Sequence, residues 1–428
     1  MSGLKKYQTK LEEFFVPMMT KLSNNKVLKS ISNGVMMTLP LTLGASVFTI
    51  LGSFPVPAVS KFLEEMGISQ HFNAISGATL GILGLFISFT VAYNYTKLSD
   101  ADGVVGGLFS LASFLILMPQ SVGEGENVIG AFASSYLGSS GLFVAFLTAI
   151  FIAKLYSIFS KNKKLLIKLP DSVPPMVAQS FEPLIVGLII FAIVFVIRLI
   201  VGYTPYENLF DLVNTIIATP LMSIGGSIPA IMFVFVLGNI LFFFGIHPSP
   251  LHSIMSPILL GMQAGAMENI KAGEPIQYLT NLVTYDFINN DGTGSTFSLL
   301  LAILIFGRAK RYKTLAKLSI GPNFFGINEP VIFGLPIMFN PILLIPFALS
   351  SVVSGFLGFL SVKIGFITTY NSAVAMGMPW TLPKFITSFF IYGWQGVVVR
   401  IVVMIAIMFL YYPFFKILDR QELVLENQ

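Results

Sequence analysis

Apolar residues run in long blocks along the whole chain, separated by short polar stretches and by no large polar insertion. A helix needs roughly 20 residues to cross about 30 Å of hydrocarbon. On that measure the pattern predicts ten spans: 29–54, 73–96, 102–119, 138–160, 182–203, 227–246, 249–268, 280–306, 339–361 and 386–412. Pro, Gly, Asn and Asp interrupt the seventh and eighth, so each is read as either crossing or re-entrant. Two further stretches, 320–337 around Asn-Glu-Pro and 364–385 containing MGMPWTLPK, are too broken for a continuous crossing and too apolar for a solvated loop. Backbone that leaves the helix at membrane depth survives only where protein buries it or water lines it. Both stretches are therefore expected to be re-entrant hairpins.

The first 28 residues carry lysines and place Leu4, Tyr7, Leu11, Phe15, Met18 and Leu22 at helical spacing, broken by Pro17. This suits an amphipathic helix lying in the interface rather than a cleaved signal. The expected fold is an all-α integral membrane protein of about ten transmembrane helices, with re-entrant hairpins and an N-terminal interfacial amphipathic helix. Along the chain this divides into the interfacial helix (1–28), an N-terminal scaffold half (29–205) and a connecting surface helix (206–226, with ENLFDLVNTIIATPL at 207–221). A substrate-binding half with the hairpins (227–418) and a cytoplasmic tail (419–428) complete it.

Composition agrees with that reading. Of 428 residues 55% are apolar, 41 are Phe and only 11% are charged, with a mean hydropathy of +0.82, far from the mix of a soluble domain. Charge then sets orientation. Lysines at 5, 6, 10, 21, 26 and 29, the cluster at 161–168 after span four, and Arg308, Lys310, Arg311, Lys313 and Lys317 after span eight fall on one side of a ten-span chain. The segment between spans three and four holds two glutamates and no Lys or Arg. The positive-inside rule places the clusters and both termini in the cytoplasm. The net charge of +5 is thus topological, and nucleic-acid binding is not implied. The chain has no cysteine, which excludes disulfides, thiolate metal sites and covalent chemistry on sulfur. No His and carboxylate set has metal-ligand spacing, and no Gly-rich loop ends in Lys-Ser or Lys-Thr for ATP.

Against this background the polar residues at helix breaks carry the chemistry. Glu329 is the only acidic residue between Asp291 and Asp419. A buried carboxylate costs several kcal/mol unless paired or protonated, so Glu329 reads as functional rather than structural. Gly326 allows a tight turn ahead of it, and Pro330 restricts it toward extended geometry; with Asn328 it forms an amide and acid pair at a hairpin tip. His247, in FFFGIHPSP, sits likewise at a broken helix end. His252 reads equally well as a surface residue, and His71 falls in an external loop. The run Asn289 to Thr296, with Gly292 and Thr293, reads equally well as close helix packing or ligand contact. Trp380, flanked by prolines, offers a flat face to a sugar ring, whereas Trp394 reads as packing within a span. Gln179 and Ser180, in LPDSVPPMVAQSFEP, are further ligand candidates on a loop reaching inward. For Arg198 and Arg400 snorkelling and pairing both stay open.

FFGINEPVIFGLP, FFFGIHP, LPDSVPP and PWTLP, in that company and with SSGLFVA at 139–145, resemble the membrane IIC component of the bacterial phosphoenolpyruvate-dependent sugar phosphotransferase system. The class is the one carrying lactose, cellobiose and N,N'-diacetylchitobiose. The resemblance spans nearly the full chain. It implies a homodimer in the bacterial cell membrane, with the N-terminal half (29–205) dimerising and the C-terminal half holding one disaccharide near the midplane between two hairpins. It further implies that Glu329 and His247 flank the hydroxyl to be phosphorylated. The family's Gly-Gly-x-Gly motif appears here as Asn290-Asp291-Gly292-Thr293-Gly294, a departure. The phosphoryl donor implied is a separate IIB phosphocysteine protein at the cytoplasmic face, supplied by IIA upstream, and no cofactor is called for. Phosphoryl transfer needs positioning and a group to accept the hydroxyl proton, which suits the Glu329 and His247 pair. A proton-coupled secondary sugar transporter is the alternative. An intramembrane enzyme lacks its carboxylate pair or metal set, and two proline-broken hairpins suit a pore poorly.

Overall fold

The computed structural model describes Pro17, Lys21 and residues 24–426, apart from 53–56, 124–127, 139, 168–169, 171–172, 175–180, 245–247, 289–290, 336, 339 and 379–381. Most of the expected interfacial helix over 1–28 lies outside the described residues. The fold is all-α, and its one sheet among the described residues is a two-residue antiparallel pairing of Ser121–Val122 with Ile129–Gly130.

The first half is built from α1 (Lys26–Met37), α2 (Leu39–Gly52), α3 (Ser69–Gly77), α4 (Leu83–Lys97), α5 (Gly103–Leu117), α6 (Leu142–Phe159) and α7 (Leu184–Gly202). Local caps set their starts: Asn25 Oδ1 accepts from the amides of Val27 and Leu28, and Asp102 Oδ1 from Val104 and Val105. Each satisfies amides that the first helical turn leaves without an intrahelical partner. Among the described residues Arg198 pairs with no carboxylate. Its guanidinium donates to the carbonyls of Ile116 and Met118, closing the end of α5.

After short helices at Leu209–Val213 and Thr219–Gly225, the second half begins with α8 (Ile228–Phe243), bent by 62° from the segment before it. It continues with α9 (Ser249–Ala272), α10 (Leu279–Ile288), α11 (Thr296–Phe306), α12 (Lys310–Phe324), α13 (Glu329–Gly334), α14 (Pro341–Lys363), α15 (Ser372–Gly377), α16 (Lys384–Tyr392) and α17 (Trp394–Glu426). The buried apolar residues form two main clusters. One is drawn from Leu83 to Ala218 and the other from Ile231 to Leu418. A small third cluster of Ala45, Leu80 and Met267, with Ala373 and Met376 against it, lies where the halves meet. Large apolar side chains are nonetheless exposed along many helices, among them Leu188, Phe195 and Ile200 on α7. Such outward-facing apolar surface is what a hydrocarbon solvent accepts and water does not.

Among the described residues five helices are long and apolar enough to cross a bilayer, or six with the bent pair. Of the other expected spans, α5 has only 15 residues and the 24-residue α9 is less apolar, while two are broken. Span one parts at Thr38, and span eight parts into α10 and α11. The last span begins at Trp394 rather than 386, because Lys384–Tyr392 is a separate nine-residue helix. The helix continues past the span to Glu426, so residues 419–426 of the expected tail are helical.

Candidate functional site

The break between α10 and α11 organises the site. Gly292 and Gly294 take φ of 95° and 75°, and Ser295 takes 50°, a left-handed run that ends any helix. At Gly294 only hydrogen fits, since a Cβ would stand 2.1 Å from Phe347 Cε2. Residues 291–295 therefore do not continue the helix, and at Gly294 a small residue packs closely against a neighbouring one. The exposed polar groups of the break are met by side chains from other elements. Ser354 Oγ donates to Ile288 O at 3.3 Å, Asn328 Nδ2 to Thr293 O at 2.9 Å, and Tyr411 OH to Gly294 O. Asp291 Oδ2 accepts from the Ser298 amide at 3.1 Å, capping α11. Non-helical backbone inside a membrane protein persists only with such partners.

Two incomplete helical hairpins close on this break. In the first, α12 packs along α11, the chain turns at Gly326 (φ 80°), and α13 folds back on α12. Six residues rise only about 9 Å, too little for a crossing. Asn328 precedes α13, its carbonyl accepting from Val331 and Ile332, and its buried amide reaches Thr293. Glu329 is the first residue of α13 and Pro330 follows in the first turn. Glu329 is therefore helical rather than extended. Pro330 stands where a missing N–H leaves no helical bond unmade.

The second hairpin is α15 and α16. Its arms are joined at the mouth by Asn371 N donating to Ile391 O at 2.9 Å, and they are six and nine residues long. It is held by a network of which the sequence reading named only Arg400. Tyr392 OH donates to Asp286 Oδ2 at 2.5 Å. Arg400, 3% exposed, donates from Nε to Ser388 Oγ at 3.0 Å and from both Nη atoms to the Asp286 carbonyl at 3.2 and 3.3 Å. Its guanidinium lies 4.1 Å from the centroid of Phe287, close enough for a cation–π contact. Ser372 Oγ donates to Gln263 O, and Gln263 Nε2 donates to Tyr370 OH at 3.3 Å. Asp286 and Arg400 carried a readable signal as ionisable residues in apolar runs; Tyr392 and Gln263 carried none.

The inner ends of the two hairpins share a small cavity whose walls include Asp291, Asn323, Gly326, Lys384 and Arg400, with Phe297, Phe324 and Phe385 around them. Asn323 is 1% exposed and donates to Thr296 Oγ1 at 2.8 Å. Its Oδ1 has no donor among the described residues.

Of the residues singled out from sequence, Asn328, Gly292 and Thr293 are thus brought together, with Glu329 next in the chain. His247, Trp380, Asn289 and Gln179 lie outside the described residues, as does the Glu329 side chain. Trp394, read as packing, stands instead at the head of α17, 60% exposed. No group of three or more metal-ligating side chains occurs among the described residues.

A family model described as "Phosphotransferase system, EIIC" matches residues 32–351. The galactose-specific EIIC component of Lactococcus lactis subsp. cremoris (strain MG1363) is 34% identical to this chain, over 96% of it and 95% of the relative. The cellobiose-specific EIIC component of Geobacillus stearothermophilus is 33% identical, over 96% and 94%. Among solved structures, the IIC component from the N,N'-diacetylchitobiose-specific phosphotransferase system superposes with a TM-score of 0.89 at 30% identity. That match covers 97% of this chain and 99% of the other.

Proposed function

The chain belongs to the EIIC family of the phosphotransferase system and is a sugar-specific, multi-pass membrane permease that works with IIB and IIA partners, and on that premise we propose that it carries a β-linked disaccharide of the cellobiose or diacetylchitobiose class. The disaccharide sits at the convergence of the two hairpins. Glu329 accepts or orients the proton of the hydroxyl to be phosphorylated, and His247 hydrogen-bonds that hydroxyl or the arriving phosphate. Asn328 anchors the Glu329 turn to the broken helix. Trp380 supplies a face for a sugar ring, and Asn289, Gly292, Thr293 and Gln179 complete the polar lining.

The observation that supports this reading is the meeting of two incomplete hairpins at a helix break, with Gly326 from one and Lys384 from the other on a single cavity. There the protein withdraws backbone and polar groups from lipid, which in transporters marks a substrate site. The phosphoryl group arrives from a separate IIB phosphocysteine at the cytoplasmic face, where the basic clusters and both termini lie, since this chain has no cysteine to carry it. Positioning, and not covalent participation, is the chain's contribution. Phosphorylation makes the sugar anionic, so it no longer fits the site and transport runs inward only. Two such chains form a homodimer through their first halves.

The test is the chemical state of a labelled disaccharide recovered from vesicles containing the chain. With the phosphoryl-carrier proteins present, sugar phosphate should accumulate, and removing them should stop uptake. Free sugar accumulating regardless of those proteins would instead establish proton-coupled secondary transport.

A further inference from the structure

A second and larger cavity, about 900 Å³, opens at the other end of the second hairpin, where its arms meet. It has no lining residue in common with the cavity at the hairpin tips. Its walls come from both halves of the molecule. Thr49, Asn73 and Ser76 stand on one side, and Lys271, the 369–373 turn and the 390–395 turn on the other. The volume falls within the range of about 300–1,000 Å³ usual for small-molecule sites.

The chemistry of the lining narrows the ligand. Among the described residues Lys271 is the only charged side chain on the wall, and the polar groups are otherwise hydroxyls and amides, among them Thr369, Asn371 and Gln395. Such a wall suits a neutral, hydroxyl-rich molecule and gives little to a phosphorylated one, whose charge would call for several cations. The aromatic side chains Tyr370, Tyr392 and Trp394 share the lining. Trp394 meets Phe366 edge-on at 5.6 Å, is 60% exposed as a residue and borders the cavity. A membrane-interface anchor would account for one exposed tryptophan. It would not account for a ring on a cavity wall that also holds amides and hydroxyls from both halves.

We infer that this cavity is a second saccharide site, a vestibule that takes the neutral, unphosphorylated disaccharide before it reaches the hairpin tips. The inference rests on the proposed disaccharide specificity. The mouth of the second hairpin forms its inner wall: Tyr392, on that wall, is bonded to Asp286, and Tyr370 to Gln263. Sugar in the vestibule therefore touches the same hairpin whose far end lines the tip cavity.

The chain has two tryptophans, Trp380 and Trp394, so each site can be given its own reporter. In the full-length protein carrying Trp380→Phe, Trp394 is the sole tryptophan. Its emission is titrated with cellobiose and with N,N'-diacetylchitobiose, and with mannitol as a polyol control. The expected result is a saturable change with the disaccharides and none with mannitol. The half-saturating concentration should rise about five-fold in Asn73→Ala and Gln395→Ala, the scale of one lost contact. A flat titration, or one that mannitol reproduces, overturns the vestibule. The Trp394→Phe protein keeps Trp380 and reports on the hairpin tips separately. If Trp380 responds and Trp394 does not, the vestibule alone is wrong; if Trp394 responds and Trp380 does not, the assignment of the tips is wrong.

Discussion

Tyr392 and Asp286 are 106 residues apart and joined by a 2.5 Å hydrogen bond from phenol to carboxylate, which ties the end of the second hairpin to the helix leading into the break. Arg400 completes the join by holding the Asp286 carbonyl and the Ser388 hydroxyl together. The hairpin is thereby fixed to α10 and α17 through polar contacts in an apolar surrounding, where a lost partner is costly.

Tyr392→Phe should lower thermal stability of the purified protein by about 1.5–3 kcal/mol, the range for a hydrogen bond to a charged group. Arg400→Ala should cost more, about 3–5 kcal/mol, because it strips partners from a buried charge network. Arg400→Lys should fail to restore it, since an ammonium cannot span two acceptors and stack on Phe287 at once. Unfolding followed by tryptophan emission in detergent checks all three. Equal stability of Arg400→Lys and the parent would show that charge alone suffices.

Gly294→Ala should abolish well-folded protein or leave it strongly destabilised. A side chain there meets both a φ of 75° and the ring of Phe347, and each carries a cost of about 1–3 kcal/mol. The measurement is the yield of monodisperse protein after purification. Normal yield and unchanged melting would mean that the break tolerates a Cβ.

A second join lies at the far end of α17. Asp419 accepts from the amides of Arg308 and Ala309 at 2.9–3.0 Å, and Glu426 accepts from those of Lys310 and Arg311, so the start of α12 is capped by another helix. Those amide bonds hold the exposed Glu426 carboxyl below its ordinary pKa. Its contribution to stability is full above the ordinary carboxyl range, about 4.3 for Glu, and is lost as pH falls through the lower folded-state value. Melting temperature should therefore fall more steeply below about pH 4 in the parent than in Glu426→Gln. Asp419→Ala should cost about 1 kcal/mol at neutral pH, as lost caps do. Superimposable pH profiles would remove Glu426 from this role.

What the sequence disclosed follows from which interactions are local. Apolar block length, Pro and Gly punctuation and lysine placement are one-dimensional signals, and they sufficed for a helical membrane protein with two hairpins. The isolation of Glu329 and the breakers around Asn328 pointed to the first tip for the same reason. The boundary near residue 386 was misjudged because KFITSFFIYGWQGVVV reads as one apolar run. Only Gly393, at φ 75°, separates α16 from α17 there. The pairing of Asp286 with Tyr392 and the partnering of Arg400 join elements over a hundred residues apart, and no spacing rule brings them together. Trp394 packs on Phe366 but stands at the head of α17 rather than inside a span, again because Gly393 breaks the run just before it.

Glu329 opens α13 at the tip of the first hairpin. Glu329→Gln keeps the length and the hydrogen-bonding reach of the side chain but removes its ability to accept a proton. If Glu329 only holds the sugar, binding and phosphorylation should weaken together. If it receives the hydroxyl proton in the transition state, disaccharide affinity should stay within about three-fold while phosphorylation falls about 10²-fold, the lower range for loss of a general base. Binding of cellobiose to the purified variant and single-turnover phosphorylation by the phosphorylated IIB partner separate the two. Comparable losses in both would reassign Glu329 to binding, and unchanged phosphorylation would remove it from the site.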